Sequence, residues 1–415
     1  PYQIATLAEL KWISEADNSF ESLHFVQTAD IDASETAQWN AVGDHTYGYI
    51  PLGRREKPFR GHYDGADHKI TNLTINALAD DAAFIGAMQE ASLKALRIVD
   101  ANVSATSSGF EHAIAVGWAH TSSVTSVSTS GTLNSTNAEN GGGVVGHLWS
   151  TTGHSLSSSA TITCVLNNNG CGGVLGRTAG GSSLYDAYFT GAITGKSRTG
   201  GLVGFSGEGV PRYCYSTGSV TVTNDVAGGV SGHFWLADPS GDAFYDKEVV
   251  TPVSLSNQGI LDAADGRTTA QLTSRDYLLS QGWDFVGETA NGTNDRWDID
   301  PNLNGGYPFL VTQPGVVPIP ASISAGTVTA DGPTGLTMTA TVNSTGSEAI
   351  TEAAICVIDA GIDPAPAPSC ASAAVDGATI TGSASGLAPG GNYEVYITAT
   401  TAVSTVQSSA LSIQL

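Results

Sequence analysis

Three groups of side chains have the types and spacing for chemistry. The first lies between Asn291 and Gly305, where Asp298, Asp300, Asn302 and Asn304 alternate. Carboxylates and amides at every second position can turn several oxygens toward one hard cation, and calcium is the cation this pattern predicts. The loop lacks the distant bidentate glutamate of an EF-hand and Pro301 interrupts that geometry, so closure of a domain end is the competing reading. The second group is two pairs of acids, Asp30 with Asp32 and Asp64 with Asp67. Glycoside cleavage needs two carboxylates about 5–9 Å apart across a cleft. Neither pair is matched by a lysine or arginine cluster that would grip an anionic glycan; Asp64 and Asp67 fall in the turn of a structural motif, and Asp30-Ile31-Asp32 lies beside the opening coil. No Ser-His-Asp set, phosphate loop or dinucleotide fingerprint is present, so catalysis is not expected. The third group is rings: Trp118, His147, Arg177, Phe205 and His233 share one phase of a repeat, with His120, Trp149 and Trp235 two positions further on.

The repeat is a four-residue word. Gly143-Val144-Val145-Gly146, Gly173-Val174-Leu175-Gly176, Gly201-Leu202-Val203-Gly204 and Gly229-Val230-Ser231-Gly232 are copies, and weaker ones end at Gly86 and Gly117. The closing glycines at 86, 117, 146, 176, 204 and 232 are 28 to 31 residues apart. A period of that size predicts a solenoid whose units bury their faces only against their neighbours. Short β-prone runs with Gly, Ser and Asn at the corners fill each period. Coils stacked about 4.8 Å apart would gather the eight ridge residues on one side. Such a ridge could contact a sugar polymer or a neighbouring subunit through ring faces with polar tips. The competing reading is a shielded stack that supports the solenoid, because large rings are usually buried.

A solenoid has two ends to cover. Thr6-Leu7-Ala8-Glu9 is a capping box opening an amphipathic helix with Leu7, Leu10 and Ile13 on one face. Thr268 to Ser280 predicts one second short helix, and Tyr307-Pro308-Phe309-Leu310 closes the domain. Gly201-Leu202-Val203-Gly204 resembles the GLUG motif of large secreted bacterial surface proteins and of the N-terminal parts of some IgA-cleaving metallopeptidases. Phe59-Arg60-Gly61-His62-Tyr63-Asp64-Gly65 with Ile70-Thr71-Asn72-Leu73 is similar to the opening coil of such β-helices. The resemblance covers about residues 1–312 and implies a parallel β-helix. Peptidase activity does not carry over, because the chain has no His-Glu-x-x-His zinc signature.

After residues 313–319, which read as a linker, residues 320–415 show strands without the glycine word. Tyr393 precedes alternating Val395, Ile397 and Ala399, and this placement resembles the tyrosine corner of immunoglobulin and fibronectin type III sandwiches. The fold class expected is therefore all-β: a parallel β-helix with short helical caps, then an immunoglobulin-like sandwich.

Composition limits the partners. The net charge of −23, with 39 acids against 16 bases, leaves no basic patch to displace counterions from phosphates, so nucleic acid is excluded. No run of about 18 apolar residues is present, so no transmembrane segment is expected. Pro1 is not an initiator and no signal peptide is visible, which reads as a processed or excised chain. Cys164 with Cys171 and Cys356 with Cys370 are the candidate disulfides, with Cys214 left over; two local bridges would match an oxidising compartment, and buried free thiols are the alternative. Sequons at Asn72, Asn102, Asn134, Asn291 and Asn343 are assigned no role. The functional expectation is a non-enzymatic extracellular structural or adhesive protein with no cofactor beyond possible calcium. Its partners would be copies of itself, as in a surface filament, or a cell-surface glycan or protein; the alternative is a glycan-binding or polysaccharide-degrading β-helix.

Overall fold

The structure is a computed structural model. It describes the chain except residues 17–18, 43–44, 78–80, 106–110, 137, 166–169, 225–226, 236–241, 251–252, 255–264, 302, 312–321, 345–349, 351, 362–366, 377–378 and 401–404. The fold is all-β, a parallel β-helix followed by an antiparallel sandwich or barrel-like sheet. Two compact units divide it, Pro1–Gly315 and Val316–Leu415, while the expected linker at 313–319 lies outside the described residues.

In the first unit each full coil crosses three parallel sheets. One coil runs through the short strand Asn140–Gly142, the glycine word, Val145–Trp149, then Thr152–Ser158 and Thr161–Cys164. The next coil repeats it as Gly170–Gly172, Leu175–Ala179, Ser183–Phe189 and Ala192–Gly195, pairing Val145 with Leu175, Leu156 with Ala187 and Ile162 with Ile193. Apolar side chains at the inward positions stack along the axis, and Val144, Val145, Leu148, Leu156 and Ile162 are all buried. Each such side chain removed from water contributes about 1.5–3 kcal/mol.

The word forms the corner between the short strand and the middle one. The Val174 carbonyl accepts both Val144 N–H (2.9 Å) and Val145 N–H (3.1 Å). Leu202 receives the same fork from Val174 and Leu175, and Val230 receives it from Leu202 and Val203. The fork brings backbones close enough to exclude side chains. A Cβ on Gly143 would overlap the Gly173 carbonyl oxygen, and one on Gly173 would overlap the Gly201 carbonyl and the Phe189 ring. The closing glycines form a second such line, where a Cβ on Gly146 would sit 2.6 Å from the Gly117 carbonyl oxygen. Glycine is required here for close approach rather than for a left-handed turn.

Both ends of the solenoid carry caps. Helix α1 (Leu7–Glu15) begins with Glu9 N–H donating to Thr6 Oγ1 (3.3 Å) and Thr6 N–H donating to Glu9 Oε2 (2.9 Å). Its Leu10 and Ile13 are fully buried and Leu7 packs at their margin. At the other end the single helix expected over Thr268–Ser280 is two, α2 (Thr269–Leu272) and α3 (Arg275–Ser280). Ser274 breaks it: its backbone is extended and its hydroxyl accepts Tyr277 N–H, so it ends one helix and caps the next. Beneath them lies an aromatic core separate from the solenoid's aliphatic one, containing Tyr215, Phe244, Trp283, Phe285 and Trp297. The Trp283 and Trp297 ring centroids are 4.8 Å apart, and Trp297 Nε1 donates to Asp186 Oδ1 (3.1 Å).

The second unit is antiparallel throughout. Gly335–Ser344 pairs with Ser322–Ala330 and Thr379–Ser385, while Glu352–Asp359 pairs with Asn392–Thr400. Ser369–Asp376 bonds to both Glu352–Asp359 and Thr379–Ser385, so the two halves join into one continuous sheet. Leu336, Ile355, Ile380, Val395, Ile397 and Ala399 fill its core. The Tyr393 hydroxyl accepts Ala388 N–H (2.8 Å), tying the start of that strand to the loop before it.

Disulfides join Cys164 to Cys171 and Cys356 to Cys370, and the second pair sits directly opposite across two strands. Cys214 is a buried free thiol. Replacing both Cys356 and Cys370 by alanine is expected to destabilise the second unit by about 2–4 kcal/mol, read from denaturant unfolding. Gly173→Ala is expected to destabilise the solenoid by about 1–3 kcal/mol or more, because neither the carbonyl nor the ring it meets can withdraw freely. A wild-type melting temperature for this variant would refute the close-approach argument.

Candidate functional site

The ridge residues stand on the middle sheet of the solenoid. Its strands Ile85–Gln89, Val116–His120, Val145–Trp149, Leu175–Ala179 and Val203–Ser206 run parallel in register. One row reads Ala87, Trp118, His147, Arg177 and Phe205, and His233 continues it with its ring 5.0 Å from that of Phe205 and nearly parallel. The second row reads Gln89, His120, Trp149 and Ala179. Alternation along each strand sends both rows outward, since the intervening Ala119 and Leu148 are fully buried.

Rings and guanidinium groups cover one another within the rows. Trp118 stacks on His120 with centroids 5.2 Å apart, and Arg177 and Arg198 lie 5.0 and 5.1 Å from the Phe205 centroid. His147 and Phe205 are consequently buried, whereas Trp149 remains 43% and Trp235 64% exposed. The eight residues thus divide by exposure: most are packed into a supported stack, while Trp149, beside His147 at 5.8 Å, and Trp235, beside Phe205 at 6.2 Å, touch the stack on one side and water on the other.

Beneath the stack lies a charged network. Asp81 and Glu111 are almost fully buried, one coil apart. Arg55 donates from Nε to Asp81 Oδ2 (2.9 Å), lies 3.2 Å from Glu111 Oε1, and faces the Trp118 ring at 4.9 Å. His147 Nδ1 donates to Glu111 Oε1 (2.9 Å), and Asn140 Nδ2 to Glu111 Oε2 (2.7 Å). Burial pushes the Asp81 carboxyl up to about 6, with Arg55 opposing that shift and the neighbouring Glu111 adding to it. Burial works against the Arg55 charge, yet the two carboxylates hold its proton more tightly than usual. The network anchors Trp118 and His147 from below. Sequence reading missed it, although the spacing of Asp81, Glu111 and Asn140 by one coil each was a usable signal.

The acid pairs are occupied in turns. Asp30 accepts Lys69 N–H (3.1 Å) and faces His68. Asp32 accepts Asn72 Nδ2 (3.1 Å) and Ser34 N–H (3.0 Å), and these bonds lower its carboxyl below the usual range. Asp64 accepts Ala66 N–H (2.9 Å) and pairs with Lys94 at 2.9 Å; Asp67 is a left-handed turn residue at φ 67°. A lysine does stand beside each pair, at 69 and 94, brought there by stacking of coils distant in sequence.

In the Asp-rich loop, Asp298 Oδ1 accepts Ile299 N–H (2.8 Å). Asn304 Nδ2 donates to the Tyr215 hydroxyl (2.6 Å) and the Pro308 carbonyl (2.7 Å), linking the loop to a solenoid strand. Asn302 lies outside the described residues. Among the described residues no three His, Cys, Asp or Glu side chains converge as a metal cage, and no helix is long and apolar enough to cross a membrane.

No family model matches the chain, and no curated protein compared with it matches either.

An acid whose folded pKa is raised binds its proton more readily folded than unfolded. Asp81 therefore makes the fold more stable as pH falls from about 6 toward 4, the opposite of Asp32, whose lowered pKa makes its contribution disappear with acid. Thermal unfolding of wild type and Asp81→Asn across that window should differ in slope: the variant loses relative stability on acidification. Parallel curves would mean Asp81 is already charged and fully paired.

Proposed function

We propose that this chain is a non-enzymatic extracellular structural or adhesive protein. The β-helix serves as a stiff rod, the ring-bearing sheet as its contact surface, and the C-terminal unit as a spacer or docking module. The observation that carries the reading is the display of Trp149 and Trp235, two exposed indoles on a hydrogen-bonded sheet whose other rings are packed and buttressed. Large apolar side chains left in water on a rigid surface mark contact sites when they are held together.

Three further features support it. The glycine word resembles that of secreted bacterial surface proteins. The two disulfides suit an oxidising exterior. A repeated surface displayed in arrays turns weak contacts into strong attachment by multivalency. Self-assembly into a surface filament is the sharper form of the proposal, and a fragment of a large adhesin the broader one. A polysaccharide-degrading role draws no support from the acid pairs, whose oxygens serve turns and ion pairs.

Electron microscopy of the protein as it leaves the cell, with light scattering on purified material, tests the filament form. Long regular fibres of this chain are expected. A dispersed monomer at high concentration would eliminate the filament and leave the ring-bearing sheet as an adhesive surface.

A further inference from the structure

The outer row containing Trp149 has a gap in it. Trp149 pairs in register with Ala179 on the next coil. Thr178 pairs with Ser206 and Ser206 with Phe234, so one position further along the row continues from Ala179 through Gly207 to Trp235. The bond from Gly207 N–H to the Thr178 carbonyl (3.1 Å) and that from Trp235 N–H to the Ser206 carbonyl (2.9 Å) hold this register. The backbones of Trp149 and Trp235 therefore stand three coils apart, about 14 Å at the spacing of stacked strands, with Ala179 and Gly207 on the rungs between and the Trp235 ring 6.2 Å from that of Phe205 beside them. The indole of Trp149 lies against Gly180, where a Cβ would come within 2.9 Å of the ring, and open space surrounds the Cβ position of Gly181. The result is a shallow trough along the solenoid axis with an aromatic platform at each end.

We infer that this trough binds a linear, uncharged, β-linked polysaccharide running parallel to the solenoid axis, with Trp149 and Trp235 stacking on sugars three units apart. The inference rests on the reading of the ring-bearing sheet as a contact surface and supplies its ligand class. Three physical matches carry it. A pyranose unit in an extended β-linked chain advances by about one coil step, so polymer and solenoid stay in register rung for rung. The axial C–H face of such a sugar is apolar and flat, which suits an indole, while its equatorial hydroxyls point sideways to polar groups. The two rungs with small side chains give the intervening sugars room. Charge selects against an acidic polymer: the chain carries −23, and Glu208 stands beside the trough, its carboxylate accepting Gly181 N–H (2.8 Å).

The test uses the full chain with cello- and chito-oligosaccharides of two and six units, read by calorimetry and by tryptophan fluorescence. The hexasaccharide of one series is expected to bind at least about tenfold tighter than its disaccharide, because only the longer ligand reaches both platforms. Trp149→Ala and Trp235→Ala should each reduce hexasaccharide affinity to about the disaccharide level, with the cooperative thermal transition retained because neither ring belongs to the buried core. Hexasaccharide binding that survives in the double variant overturns the inference, as does no binding of either series or preferential binding of alginate. Electron microscopy of the double variant separates this from the proposed function. Fibres that form in wild type and vanish in the double variant, without glycan binding in either, would make the indoles a subunit contact. Glycan binding by a dispersed monomer would retain the trough and remove the filament.

Discussion

Adjacent coils pass so closely at the glycine word that a single methyl group would not fit, and the rest of the solenoid depends on that approach. A carbonyl on one coil accepts two successive N–H groups from its neighbour, as Val174 does from Val144 and Val145. The pair of hydrogen bonds recurs on Val144, from Ala115 and Val116 with Ile114 at the first glycine's place, and the backbones come closest where Gly143 and Gly173, and likewise Gly146 and Gly117, let them meet directly. The corner then repeats in the coils that carry the full word, and the strands on either side enter their sheets at matching heights. Core residues such as Val145, Leu175 and Val203 line up because of it.

That alignment converts sequence periodicity into surface. Outward positions on the middle sheet form rows, and a row collects whatever side chains recur at one phase. Where the recurring residues are large, they shield one another: Arg55 covers Trp118, Arg177 and Arg198 cover Phe205, and His147 sinks onto Glu111. Where small residues interrupt the row, as at Ala179 and Gly207, the neighbouring indoles are left uncovered. Exposure of rings on such a scaffold arises from interruption of a stack as much as from the stack itself.

A connected set of buried charge lies beneath the ring-bearing sheet. Asp81, Glu111, Arg55 and His147 form a closed set in which each carboxylate has at least two partners. Removing such groups from water is costly, and the arrangement offsets that cost only because its geometry satisfies nearly every oxygen. The open edge at the end of the solenoid is covered by rings, around Trp283 and Trp297, with Asn304 and Tyr215 as polar struts.

The sequence by itself determined the all-β class, the coil period, both capping regions and the division into a repeat unit and a sandwich-like unit. These are local or periodic properties, written in spacings such as the one between Gly176 and Gly204, and a single chain displays them without being folded. The phase of the rings was legible for the same reason. Tertiary structure decided which members of a row are exposed, since exposure depends on residues from other coils, as with Arg55 over Trp118. It also decided that Asp81 and Glu111 share Arg55, that Lys69 and Lys94 stand beside the acids, and that Ser274 divides the last helix. Each of those outcomes sets two local preferences or two distant coils against each other, and only the packed molecule settles the balance.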